Sequence, residues 1–282
     1  MTILPCMSRA ALLLAALAAA PAALAQTTAV TFDNGAEGWI GPTGPGGTTS
    51  VVSTGGNPGA NMRTVFNNFG ITFANSTNAA FTGDFTNADS VTIAIDVRVE
   101  NLAFFGSQVT RNLVLELRDT TNPPAGYPWQ SAWVVLSPIS LAATGSWKTF
   151  SATFDPNSTA LPAGWGGYGA EDPVTFEPEL PAGTTFRDIV SDIDTMAFTT
   201  LQPGFFYGFT DFTVRIDNIR VTRTTARPED LNGDNRVDAA DVAALLVAWG
   251  PCPAKGACAA DLDADGLVGA PDLAAVLLAW GL

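Results

Sequence analysis

Over several stretches of the first two hundred or so residues, hydrophobic and polar side chains alternate with a period of two. Residues 90–99 put Val91, Ile93, Ile95, Val97 and Val99 on one face of an extended chain, because successive side chains of a strand point to opposite faces. Residues 112–118, 132–136 and 212–221 read as strands on the same ground, and 147–154 alternate less cleanly. Turn formers punctuate the intervals, as an all-β sandwich requires. Helical periodicity is nearly absent here, apart from one short turn expected within 187–196. Residues 27–223 therefore predict a single β-sandwich, with Trp39 and Trp147, beside or within predicted strands, assigned to its core.

The last fifty or so residues carry a different pattern, written twice. Asp230-Leu-Asn232-Gly-Asp234-Asn-Arg236-Val-Asp238-Ala-Ala-Asp241 places oxygen-bearing side chains at positions 1, 3, 5, 9 and 12 of a twelve-residue loop. Asp261-Leu-Asp263-Ala-Asp265-Gly-Leu267-Val-Gly269-Ala-Pro-Asp272 repeats it with glycine at position 9. Ca²⁺ takes six to eight oxygens in such a loop, position 7 contributing a backbone carbonyl, so Arg236 and Leu267 would serve through their main chains. Each loop runs into a short apolar helix, expected over 242–249 and 273–280, ending in Ala-Trp-Gly.

The position-12 residue is Asp rather than the Glu of ordinary EF-hands, and in this the segment 229–282 resembles a dockerin, a duplicated loop–helix module. The resemblance implies a small, α-helical, EF-hand-like domain that folds on Ca²⁺ and plugs into a cohesin-like scaffold or cell-surface protein. It implies Asp230, Asn232, Asp234, Asp238 and Asp241 as ligands of one site, and Asp261, Asp263, Asp265 and Asp272 as ligands of the other, with water at Gly269. Leu245, Leu246, Val247, Leu277, Leu278, Trp249 and Trp280 either pack the repeats together or face the partner; both readings stand.

Residues 1–25 read as a secretory signal peptide: Arg9, an apolar run over 10–20, and Ala23-Leu24-Ala25 as the cleavage site. The apolar run is too short and alanine-rich for a membrane span, so the expectation is a secreted protein without membrane insertion. Export leaves Cys252 and Cys258, which read as a disulfide-closed turn between the repeats. Net charge is −14 and only 14% of residues are charged, against about 25% in typical domains; this argues against nucleic acid as a partner. Residues 224–228 read as a linker between the two domains.

Phe32-Asp-Asn-Gly-Ala-Glu-Gly-Trp39, Gly55-Gly-Asn-Pro-Gly59, Phe81-Thr-Gly-Asp84 and Ile216-Asp-Asn-Ile219 resemble landmarks of jelly-roll modules, namely the laminin IV type A (laminin B) domain and related carbohydrate-binding modules. The resemblance implies an all-β jelly-roll sandwich that recognises an extracellular polysaccharide, with its first and last strands side by side. It also implies a third Ca²⁺ near that edge, with Asp33 and Asp217 as ligands; the alternative is that both are strand-end turn formers.

Two Pro- and Gly-rich stretches, 122–133 and 155–183, are too long for hairpin turns, and such loops are commonly functional. They hold Tyr127, Trp129, Trp165 and Tyr168, candidates for flat faces against sugar rings. Equally, these rings could cover the ends of the sandwich. The chain contains no histidine, which removes Ser-His-Asp and Cys-His nucleophiles and histidine-ligated metals. Glycoside hydrolysis by paired carboxylates survives as an alternative, with Glu116 and Asp119, Glu171 and Asp172, Glu177 and Glu179, or Asp188, Asp192 and Asp194 as candidates. The leading expectation is a non-catalytic glycan-recognition protein anchored by its calcium module. A jelly-roll polysaccharide-degrading enzyme and a laminin-like adhesion protein are the rivals.

Overall fold

The computed structural model describes residues 23–234, 236–253 and 258–281. Cys6 and all but the last three residues of the expected leader lie outside the described residues. The chain divides into two compact units, 25–225 and 226–282, each taken by itself below.

The first unit is an antiparallel two-sheet sandwich. In chain order it comprises β1 (Ala23–Val30), β2 (Trp39–Ile40), β3 (Gly47–Val52), β4 (Asn61–Asn68), β5 (Thr72–Asn75), β6 (Ser90–Phe104), β7 (Ser107–Gln108) and β8 (Arg111–Asp119). There follow β9 (Gln130–Ile139), α1 (Leu141–Thr144), β10 (Lys148–Phe154), β11 (Trp165–Tyr168), β12 (Ala170–Glu171), β13 (Pro178–Glu179), α2 (Phe186–Val190), β14 (Thr195–Thr199) and β15 (Thr210–Ala226). One sheet runs β10-β6-β15-β4-β3, with β1 on β15 and β7 on β6; the other runs β11-β9-β8-β14-β5-β2. The first and last strands are thus neighbours, as the jelly-roll reading expects.

The alternating valines and isoleucines of β6 are all fully buried, each stabilising the fold by about 1.5–3 kcal/mol relative to exposure. Trp39 is buried, edge-on to Phe81 at 5.2 Å, whereas Trp147 is only half-buried and outside the core cluster. The strand β4 shows why it escaped the pattern: Thr64 is buried on the core side while Val65 faces out. The Thr64 hydroxyl shares a hydrogen bond with Thr49, which supports its burial. The short turn expected within 187–196 is α2, opened by a capping box between Thr185 and Asp188; the end of that stretch instead starts β14. The long loop expected over 155–183 holds three short strands, β11 to β13. Finally, β15 runs through Ala226, with Thr224 paired to Ser90, so the expected linker at 224–228 begins as strand.

The second unit repeats one loop–helix motif at an offset of 31 residues. The first copy leads into α3 (Ala239–Val247) and β16 (Gly250–Pro251), and the second supplies β17 (Leu267–Val268) and α4 (Ala270–Leu278). Both helices start three residues earlier than expected, because loop residues cap them: Asp238 accepts from Ala240 N, and Asp241 reaches back to Asp238 N at 2.8 Å. Each loop borrows its partner backbone from the other repeat. Gly250 pairs with Val268, and Gly281 N donates to the Val237 carbonyl at 2.9 Å. Val237, Leu245, Ala260, Val268 and Val276 form the core. Leu246, Val247 and Trp249, and their repeat mates Leu277, Leu278 and Trp280, are exposed. Cys252 and Cys258 are joined, with Cα atoms 5.7 Å apart. Among the described residues, no helix is long and apolar enough to cross a membrane.

Candidate functional site

On β8, Leu113, Leu115 and Leu117 point into the sandwich core. Glu116 and Arg118, which alternate with them, therefore belong to the opposite, outer face of the sheet. Pairing places Trp133 beside Glu116, and Ser131 beside Arg118; Tyr168 continues that second row on β11, opposite Ser131. Three of the four sequence-selected aromatics meet here. Tyr168 lies 5.3 Å from Tyr127, edge-on, and 5.9 Å from Trp129. The fourth does not join them. Trp165 is opposite Val134, on the core side, and packs against Phe154 and Phe186 at 5.3 and 5.2 Å.

Glu116 organises this face. Only 2% exposed, it accepts from Trp129 Nε1 at 2.9 Å and from Ser131 Oγ at 2.7 Å on one oxygen, and from Arg118 at 2.7 Å on the other. The Arg118 guanidinium also lies 4.1 Å over the Trp129 ring, a cation–π contact. Trp129 is thereby held by its edge and one face. Trp133 lies flat over the sheet margin: its Nε1 donates to the Gly167 carbonyl at 2.9 Å, and a Cβ on Gly166 would stand 2.4 Å from its ring. Burial, together with the Glu116 charge and Tyr127, pushes the Tyr168 hydroxyl above the ordinary tyrosine range, so it remains a neutral donor. Glu116, Arg118, Ser131 and Trp133 were not selected from sequence as a binding group. The alternation of β8 alone would have shown that Glu116 and Arg118 share a face.

Of the carboxylates considered for hydrolysis, Glu116, Asp119, Asp172, Asp188 and Asp194 are tied into local structure, whereas Glu171, Glu177, Glu179 and Asp192 are exposed. Asp119 accepts from Thr121 N, Asn122 N and the Gln130 amide. Asp194 accepts from Thr120 and Thr121, and those bonds outweigh its burial and hold its pKa below the usual value. Asp188 caps α2, and Asp172 accepts from Val174 N and Thr175 N; both are lowered by these bonds. A general acid needs the opposite shift.

Beside the central strand β15, three acids converge on the turn at Asn57. Asp33 Oδ1 accepts from Ala60 N at 2.9 Å, Asp217 Oδ2 from Asn57 N at 2.5 Å, and Asp96 Oδ2 from the side-chain amides of Asn57 and Asn218. Gly59 has φ +83°, and a Cβ there would meet Asp33 Oδ1 at 2.6 Å. Burial, with the Asp96 and Asp33 charges adding to it, raises Asp217 to about 6.

In the second unit the sequence-selected oxygens gather loop by loop. Carboxylate oxygens of Asp261, Asp263 and Asp265 lie within 4.8 Å of one another. Asp230 and the position-12 residues Asp241 and Asp272 are buried. Asp272 accepts from Gly269 N at 2.7 Å and Leu262 N at 2.6 Å, and these bonds lower its pKa. Partial desolvation and the charges of Asp265, Asp272 and Asp261 push Asp263 up. Asn232 and Asp234 turn their side chains into the first loop, bonding Asp234 N and Arg236 N. A preorganised set of carboxylates repelling one another is a donor set that fits Ca²⁺. Asp238 faces helix α3 as its cap.

No protein-family model matches the chain, and no curated protein matches it. The solved structures that match include carbohydrate-binding modules and an exo-β-agarase. A family 11 module from Clostridium thermocellum, in complex with a β-1,3-1,4-mixed-linked tetrasaccharide, is 15% identical over 71% of this chain and 98% of that one, with a TM-score of 0.43. The Clostridium thermocellum xylanase 10B CBM22-1–GH10 modules, complexed with xylohexaose, are 12% identical over 70% of this chain, with a TM-score of 0.39; this chain spans 28% of that structure. A family 30 module is 13% identical over 71% of this chain and 88% of its own length, with a TM-score of 0.38.

Proposed function

We propose that residues 25–225 bind an extracellular polysaccharide on the outer face of the β11-β9-β8-β14-β5-β2 sheet, without catalysis. The observation that carries this reading is the grouping of Trp129, Tyr168, Tyr127 and Trp133 on one face, with Glu116 and Arg118 holding Trp129 in place. Sugar rings present C–H faces to aromatics and hydroxyls to nearby polar groups; a ring fixed beforehand loses little entropy when a sugar settles on it. Residues 226–282 are, in this reading, a dockerin-like module that folds on two Ca²⁺ ions and attaches the sandwich to a cohesin-like scaffold or cell-surface protein. The exposed triplets Leu246, Val247, Trp249 and Leu277, Leu278, Trp280 would supply the attachment surface. A third Ca²⁺ belongs at Asp33, Asp96 and Asp217. There a buried carboxylate faces two others, which favours a hard cation on oxygen ligands. Secretion is part of the same reading.

Affinity electrophoresis of the full chain in Ca²⁺, through gels containing plant and algal polysaccharides, tests the first claim. Retardation by a polymer that Trp129→Ala or Tyr168→Ala abolishes supports it. Migration unchanged in every gel rejects it, and leaves the calcium module's protein partner as the route to function.

A further inference from the structure

A second aromatic cluster stands at the other end of the sandwich. Phe105 and Phe206 are 89% and 90% exposed, and Phe69, Phe104, Phe205 and Phe209 are each exposed by at least a third. The rings stand in three groups at the same end of the strands, Phe205 being stacked on Tyr207 at 6.2 Å. Phe69 lies 4.2 Å from Phe209 and 5.8 Å from Phe206, Phe104 lies 4.6 Å from Phe105, and a Cβ on Gly208 would stand 2.4 Å from the Phe104 ring. The segments that carry them, 66–70, 102–110 and 200–210, contain no charged residue; Arg111 and Asp211 flank them. Arg111 opens β8 and Arg118 is seven residues on, so at roughly 3.3 Å per residue the cluster stands about 23 Å from Trp129. Sugar binding does not account for it.

Two further features show what it is built to meet. Phe105 and Gly106 form the turn between β6 and β7 with φ of +47° and +80°. A bulky side chain rarely adopts the left-handed conformation, and Asn-Gly is the favoured pair in such a turn. A strained phenylalanine pointed at solvent is not explained by the fold of one chain. Beside it lies a hollow of about 330 Å³ lined by Gln108, Val109, Thr110, Ser140, Leu141 and Ala142, roomy enough for a phenyl ring. A knob and a hollow on the same surface are the two halves of a self-complementary contact.

We infer that this end of the sandwich is a homodimer interface, in which Phe105 and Phe206 of each copy seat against the other copy's apolar surface. At about 200 Å² per phenylalanine, the six rings expose about 700 Å². Taken together, the groups approach the roughly 800 Å² that each partner gives to a standard interface. The rim carries Arg111, Asp211 and Glu177 and no cluster of lysines and arginines, so it does not suit an anionic lipid surface. A two-fold contact here leaves both Trp129 faces open, and the inference stands whether or not those faces bind glycan.

Sedimentation velocity of the full chain in Ca²⁺, over a concentration series, tests it. The mass is expected to rise with concentration from 29.3 kDa to twice that value. Phe206→Ser and Phe105→Asn should each weaken association by about tenfold or more. Because Phe105→Asn creates the turn's preferred pair, its unfolding temperature should not fall, which separates a lost contact from a lost fold. A constant monomer mass overturns the inference, as does association that survives both substitutions. Association abolished by Trp249→Ser with Trp280→Ser but not by the phenylalanine variants overturns it too, as does flotation of the protein with phosphatidylcholine vesicles.

Discussion

The indole N–H of Trp129 donates to the buried carboxylate of Glu116 across 2.9 Å. The chain leaves β8, crosses a loop and returns with a tryptophan that the strand's own glutamate then anchors. Replacing that carboxylate keeps the outline of the face while loosening its aromatic wall. Glu116→Gln should cost about 1–3 kcal/mol of stability, since it breaks a charge-assisted pair and leaves Arg118 without its carboxylate. Polysaccharide affinity should drop about tenfold, the loss of a pre-set ring. Urea unfolding and gel retardation of the same variant measure the two effects.

Trp165 and Tyr168 are separated by three positions on one short strand and face opposite sides of the sheet. Tyr168→Ala should remove binding while leaving stability within about 1 kcal/mol. Trp165→Ala should do the reverse, costing about 2–4 kcal/mol through the cavity left beside Phe154 and Phe186. Equal loss of binding in both, at equal stability, would contradict the division of faces.

The raised Asp217 makes the metal-free sandwich sensitive to pH. A group whose pKa rises on folding favours the folded state most below its unfolded value of 3.8, and that contribution disappears as pH climbs through about 6. In EDTA, thermal stability should fall between about pH 4 and 6.5, by no more than about 3 kcal/mol. Asp217→Asn should flatten the slope. Calcium at Asp33, Asp96 and Asp217 should restore stability at neutral pH in the parent chain and not in the variant. Melting curves with and without Ca²⁺ decide this.

Chelation should act unequally on the two units. The five buried hydrophobics of the second unit make a small core, and metal binding to such a motif is largely folding free energy. EDTA should release amide protection over 226–282 and leave the strand amides of β6 and β8 protected, as hydrogen exchange would show. Asp272→Ala should reproduce the effect in the second loop even with Ca²⁺ present, because it removes both a proposed ligand and the acceptor of Gly269 N and Leu262 N.

Much of this was legible from residue order, for a physical reason. The two acidic loops are local: Asp230 to Asp241 and Asp261 to Asp272 gather within twelve residues, so spacing alone assembles them. The β6 strand is legible because its inner face is uniformly apolar. The six-residue span from Cys252 to Cys258 likewise pairs its cysteines without help from the rest of the fold.

The remainder depended on partners distant in sequence. Whether Thr64 is buried depends on the Thr49 hydroxyl across the sheet. Trp165 and Tyr168 were indistinguishable as members of a glycine-rich loop, until pairing with β9 made the loop a strand and period two sent them to opposite faces. Leu245 and Leu246 are adjacent and alike, and only the second repeat's Val268 and Val276 determine which is covered. Spacing along the chain can bring ligands to a loop, but the face a side chain presents depends on which strand or helix lies beside it.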